Sequence, residues 1–139
     1  MIYSLKELLK NNDSFSVVSY INEQISTLLG IQLKKKQIYE LSCTTHFFVN
    51  INDKLFISGI IIITTKSFLF DDDIFVIEAL VSKNDDNIAE QSLLLKGINH
   101  VSNLSPKNKI ISFVGNQRTQ KEVLTAFGFF HSQGIMTKI

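Results

Sequence analysis

Apolar residues recur every three or four positions over the first third of the chain, and in alternation or unbroken runs after it. Ser4-Leu5-Lys6-Glu7 has capping-box spacing, with Leu5, Leu8 and Leu9 behind it, and predicts a first helix. Asp13 and Ser14 mark a second start. Val18, Ile21, Ile25 and Leu28 then form one apolar stripe, and Gly30 stands where that helix would end. The lysine-rich run 33–37 reads as solvated surface. From Thr44 the period shortens: Phe47, Val49 and Ile51 alternate, and Asn52-Asp53-Lys54 makes a short turn. Residues 55–65 are β-branched and almost continuously apolar, which predicts a central strand covered on both faces. A polar break at 70–73 precedes a third strand over 74–81, and so short a connection predicts antiparallel pairing.

A helix follows over 87–104, with Leu94, Ile98, Val101 and Leu104 as its buried stripe and Ser105-Pro106 as its stop. Residues 109–114 read as a short strand. With a helix between them, that strand and 74–81 can lie parallel as a βαβ crossover. A short helix over 119–127, a break at Gly128 and a closing strand over 129–139 complete the order ααβββαβαβ. The pattern predicts one α+β (α/β) domain over residues 1–139, with a mixed sheet and helices on both faces.

Composition narrows the chemistry by exclusion. A chain of 139 residues, 45% hydrophobic and 19% charged, is ordinary for one globular domain with a sizeable core. A net charge of +1 gives no pull toward nucleic acid, membrane or acidic partners. The 11 phenylalanines have no basic residues interleaved with them, so they read as core. The single cysteine, Cys43, excludes an internal disulfide and a cysteine zinc site. His46, His100 and His131 show no metal-ligand spacing, so no metal is expected. His46 at a strand start and His100 on a helix's polar side are weaker candidates for catalysis, as is His131. Ser42 and Cys43 have no basic partner nearby that would make either a nucleophile. Residues 1–13 turn polar before a secretory core can build, and the run 55–65 is shorter than the roughly 20 residues a membrane-spanning helix needs. A cytoplasmic protein, monomer or homodimer, is expected, with no membrane or nucleic-acid partner.

The element order, together with Asn116, Gly128-Phe129, the strand around 76–83 and the helix around 92–101, resembles the GNAT acetyltransferase superfamily over roughly residues 44–139. The resemblance implies acetyl-CoA docking where the fourth and fifth strands part, through main-chain groups of Leu80, Val81 and Ser82. It implies a pyrophosphate on the N–H groups of Asn87, Ile88 and Ala89 at the start of the next helix, and a contact from Asn116. Helix dipole and bare N–H groups favour an anion there. The chain departs from the pattern in two places. Asp86 falls at the family's Gln/Arg position, Ala89 on its first glycine and Gln91 on its second small residue, with Asp85 adding charge that repels phosphate. Asp86 is also a good N-cap that needs no ligand. Leu124 stands where many members have the tyrosine that protonates the departing thiolate.

Glu78 is the only carboxylate within the fourth strand and the candidate general base, with burial among Ile77, Ala79 and Leu80 favouring its protonated form. An open strand face or a lysine partner is the plainer account of it. Three readings follow. One is an N-acetyltransferase moving an acetyl group from acetyl-CoA to a primary amine by direct attack. The second is a binding or regulatory module that kept the fold, lost catalysis and takes a protein partner. The third is a small dimeric α+β chaperone whose strand 55–65 faces a second copy.

Overall fold

The computed structural model describes residues 1–11, 14–52, 56–66, 73–105, 108–113, 123–132 and 135–138. The chain opens with strand β1 (Ile2–Ser4) and helices α1 (Leu5–Asn11), α2 (Phe15–Leu29) and α3 (Lys35–Thr44). Strands β2 (His46–Ile51), β3 (Ile57–Lys66) and β4 (Asp73–Ser82) follow, then helix α4 (Asn87–Leu104), β5 (Asn108–Phe113), β6 (Phe129–Ser132) and β7 (Ile135–Lys138). Residues 123–126 are helical.

Local chemistry accounts for the helix ends. The Ser4 hydroxyl accepts from the Glu7 N–H, and that of Ser14 from the Val17 N–H, so each offers an N-cap to a turn that has no intrahelical partner. Gly30 ends α2 at φ 70°, ψ 20°, a left-handed conformation open to glycine without strain.

The strands form one seven-stranded mixed sheet among the described residues, in the order β1-β2-β3-β4-β5-β7-β6. All neighbours pair antiparallel except β4 and β5, the parallel pair joined through α4. β3 lies inside the sheet and its isoleucines alternate between two cores. Ile61 and Ile63 meet Leu93, Leu94 and Ile98 of α4, while Ile60 and Ile62 meet Val18, Ile21 and Ile25 of α2 and Ile38 of α3. Helices thus cover both faces. No helix among the described residues is long and apolar enough to cross a membrane.

Four expectations are corrected. β1 precedes the first helix and pairs with β2; three residues are too few to show a period. The lysine run, solvated at Lys34 and Lys36 as expected, opens a third helix, α3, that the expected order lacks, with Lys35 3.0 Å from the centroid of the Phe15 ring and Leu33 buried. The closing segment is a β6–β7 hairpin, and β7 rather than β6 adjoins β5. Leu104 is exposed, because the buried stripe of α4 steps from Val101 to Ser105. The dimer through strand 55–65 is also ruled out for β3, since β2 and β4 occupy both its edges and the helices cover its faces.

Candidate functional site

The most irregular strand is β4. Ile62 of β3 pairs with Ala79 and Ile63 with Ile77, so Glu78 is an extra residue, a β-bulge. The bulge resets the alternation of faces. Phe75 and Ile77 point into the α4-side core before it, and Leu80 does so after it. It also turns Glu78 outward. Of the two accounts of Glu78, the open strand face is the one observed: the carboxylate is exposed, and Thr64 donates its hydroxyl hydrogen to Glu78 Oε1 at 2.9 Å.

The bulge lies at the end of the described pairing between β4 and β5, which runs in parallel from Asp73↔Asn108 to Ile77↔Ser112, while β4 continues to Ser82. Ser112 is the last β5 residue in that pairing. It is fully buried, and its Oγ has no hydrogen-bond partner among the described residues. Nothing in the run Lys109 to Phe113 marks it in advance.

Past Ser82 the chain turns through a short 3₁₀ segment (Lys83–Asp85) with Asn84 at φ 58°, ψ 32°. Asp86 then caps α4. Its Oδ1 accepts from the Ile88 N–H at 3.1 Å and the Ala89 N–H at 3.2 Å, and its carbonyl accepts from Glu90 N–H. Glu90, in the first turn, is 3% exposed and accepts a 2.8 Å hydrogen bond from the Ser82 hydroxyl. Of the two accounts of Asp86, the cap is the one observed. A carboxylate of the chain itself already holds N–H groups that an anion would need.

On the opposite face of the sheet, a cleft of about 620 Å³ lies against Glu78, Ala79 and Ile62, roofed by the α2–α3 connection. That connection is held in place: the Asn22 side-chain amide donates to the Leu33 carbonyl at 2.9 Å, and the Leu33 N–H donates to Ser26 Oγ at 3.1 Å. Ile31, Leu33 and Leu41 make the cleft largely apolar, and its charged lining groups are the carboxylates Glu78 and Glu40. Glu40 pairs weakly at the surface with Lys36, at 4.0 Å.

Other sequence candidates lie elsewhere. His46 and His100 share a hydrogen bond of 3.1 Å, and His46 Nε2 meets Thr65 Oγ1 at 3.0 Å. The pair borders a polar cavity of about 450 Å³ that also takes in Cys43, Lys6 and Lys96. His100 is 14 residues along α4 from Asp86, about 20 Å at helical rise, so this cavity lies apart from the start of α4. Burial holds both imidazoles below their ordinary range; His100 adds to this for His46, and the Lys96 ammonium adds to it for His100. No group of metal-ligating side chains occurs among the described residues. Leu124 is fully buried in the α4-side core. Asn116 and the side chain of His131 lie outside the described residues. Sequence reasoning missed Thr64, Ser112, Glu40 and Glu90, whose roles depend on neighbours distant along the chain.

No protein-family model matches the chain, and no curated protein matches it in sequence. Solved structures do match its fold. The ribosomal-protein-S18-alanine N-acetyltransferase from Escherichia coli superposes with a TM-score of 0.66 over 99% of this chain and 92% of that one, at 11% identity. Arabidopsis thaliana NAA60, solved with a bisubstrate analogue, gives 0.65 over 89% and 92% at 8% identity. The GNAT family N-acetyltransferase YhbS from E. coli, solved with CoA, gives 0.62 over 87% and 74% at 11% identity. The fold is that of the GNAT N-acetyltransferases.

Proposed function

We propose that this protein is an N-acyltransferase that moves an acetyl group from acetyl-CoA to a primary amine. The observation that carries the reading is the meeting of two features at Glu78. The bulge presents the carboxylate, and an apolar cleft with a second carboxylate opens against the same residues. The GNAT fold of the chain, and the CoA and bisubstrate analogue held by two proteins of that fold, support it.

In this reading the pantetheine arm of acetyl-CoA lies along the main chain of Leu80, Val81 and Ser82. Asn87 and Asn116 remain candidate contacts for the rest of the cosubstrate, whereas Ile88 and Ala89 would first have to exchange their bonds to Asp86. Acetyl-CoA supplies an activated acyl group as a thioester. Glu40 and Glu78 draw the cationic amine into the cleft, and the apolar walls take its body. Glu78, oriented by Thr64, accepts the proton the amine gives up. The amine nitrogen attacks the carbonyl carbon, the C–N bond forms and the C–S bond breaks. Leu124 offers the sulfur no proton, so the thiolate takes one from water. Placing both reactants against one rigid strand converts an encounter into a step within one complex.

The Asp86 cap favours a second reading, an acetyltransferase-fold module that binds a partner and transfers nothing. Calorimetric titration with acetyl-CoA, followed by thiol-release assays over a panel of amines, separates the two. Binding together with amine-dependent thiol release supports the enzyme. Binding without release for any amine supports the module, and no binding at millimolar thioester excludes the enzyme.

A further inference from the structure

We infer that the polar cavity beside the His46–His100 pair binds a small phosphate monoester, at a site separate from the transferase cleft. The cavity holds about 450 Å³, which is room for a small organic ligand rather than for a lone ion. β1, the start of α1, the α3–β2 junction and α4 form its walls. Its hydroxyls divide by what they already do. Those of Ser42, Thr44 and Thr45 donate to the carbonyls of Tyr39, Glu40 and Leu41, which leaves them no hydrogen for a ligand. Ser4 Oγ instead accepts from the Glu7 N–H and keeps its own hydrogen to give.

The charged groups favour an anion. Lys6 comes from α1 and Lys96 from α4, and neither forms an ion pair among the described residues. Lys96 stands four residues before His100, so both occupy one face of α4. The Lys96 ammonium lies 6.0 Å from the centroid of the Phe48 ring, whose edge-on partner at 5.1 Å is the His100 imidazole. Burial first, and then the Lys96 charge, hold that imidazole below its ordinary range. In the chain Thr65–His46–His100 both nitrogens of His46 and Nε2 of His100 are engaged, so Nδ1 of His100 is the ring nitrogen left for a ligand. Glu7 is the one carboxylate among the described lining residues. Two ammoniums against one carboxylate suit a doubly charged phosphate, whose oxygens they meet as point charges. A divalent metal fits less well, because the ammoniums repel it and the facing imidazole nitrogens are bonded to each other. Ile2 and Phe48 supply an apolar wall for the organic part of the ester.

Calorimetric titration of the full chain at low ionic strength compares phenyl phosphate, inorganic phosphate and phenol. The ester should bind at sub-millimolar concentration, and inorganic phosphate about threefold more weakly, having no apolar part to bury. Phenol should not bind. Lys6→Gln and Lys96→Gln should each weaken the ester about tenfold, as loss of a charged hydrogen bond does. Nitrogen NMR during the titration should show the His100 ring signals moving with the same midpoint. No binding of either phosphate at millimolar concentration overturns the inference. An affinity unchanged in both lysine variants also overturns it, by putting the anion elsewhere. Phenol binding as well as the ester removes the phosphate as the recognised group, and inorganic phosphate binding as tightly as the ester removes the ester as the ligand class. Both lysines are exposed, and thermal melts of the two variants confirm folding.

Discussion

Replacing Ser112 by alanine should make the protein more stable and a poorer binder of its donor. Ser112 is wholly enclosed between β4 and β7 on an interior strand, and its hydroxyl has no hydrogen-bond partner among the described residues. Burying such a group unpaired costs about 1–3 kcal/mol. Deleting one oxygen leaves a void of roughly 10 Å³, worth only about 0.2 kcal/mol at ~24 cal/mol per Å³. The net gain is about 1–2 kcal/mol, which for a domain of this size raises Tm by roughly 3–6 °C. In the presence of a thioester the advantage shrinks, because the variant loses a donor to the ligand worth about 1 kcal/mol, or roughly fivefold in affinity. Thermal melts with and without S-acetylpantetheine read both effects. If Ser112→Ala melts lower than the wild type without ligand, the hydroxyl has a partner and the reasoning fails. If ligand stabilises both forms equally, Ser112 does not face the bound arm.

Glu78→Gln keeps the shape and the Thr64 contact but removes proton acceptance, so amine-dependent turnover should fall by about 10²–10⁴ with little change in thioester affinity; unchanged kcat would remove Glu78 from the chemistry. The His46–His100 pair should make stability depend on pH. Both imidazoles titrate below their unfolded value near 6.5, so the unfolded chain binds more protons and stability is lost as pH falls below about 6.5, with no change from this pair above it. Melting curves between pH 7.5 and 5.5 should show the loss, and His100→Gln, which removes the coupling while Lys6, Lys96 and Glu7 remain around the cavity, should flatten it. Gly97 packs α4 onto β3 so closely that a Cβ there would lie 2.8 Å from Ile63 Cδ1 and 3.1 Å from Ile61 Cδ1. Gly97→Leu should therefore cost about 1–3 kcal/mol through overpacking, read by urea denaturation, whereas equal stability would mean that α4 shifts freely.

Much of the fold was legible because its signals are local. The stripe Val18, Ile21, Ile25 and the caps Ser14 and Gly30 place α2, and the unbroken apolar run places β3 inside the sheet. β1 was not legible, since a three-residue edge strand is defined only by the β2 groups it pairs with. The antiparallel pair β6 and β7 was merged into one closing strand over 129–139. Glu78 was identified as a candidate, and its open strand face was the plainer of two readings, but the bulge behind that exposure was not legible. Strand periodicity assumes two residues per repeat, and a bulge breaks that count without leaving a mark in composition. Ser112 carried no signal at all, for a serine is an ordinary residue until both neighbouring strands are known.

The same distinction explains which parts of the site persist in so divergent a chain. The bulge is a property of the main chain, held by packing. Ile77 and Leu80 must both enter the α4-side core although three positions apart, and one extra residue between them is how β4 satisfies both. Any sequence that keeps these two core contacts keeps the bulge, and with it the outward carboxylate position. The start of α4 is under no such constraint. Any side chain that satisfies the free N–H groups stabilises the helix, and an aspartate does so as well as a bound anion would. Packing therefore preserves the bulge, while the start of α4 can change by a single capping substitution. The dependence should be visible on the core side. Leu80→Ala, which empties a fully buried position just beyond the bulge, should cost about 2–5 kcal/mol and weaken thioester binding, although no side-chain atom of Leu80 need touch the ligand. Hydrogen exchange would show the amides of residues 78–82 losing protection in that variant. If they kept it while stability fell, the bulge would not depend on this core contact, and the account of its persistence would be wrong.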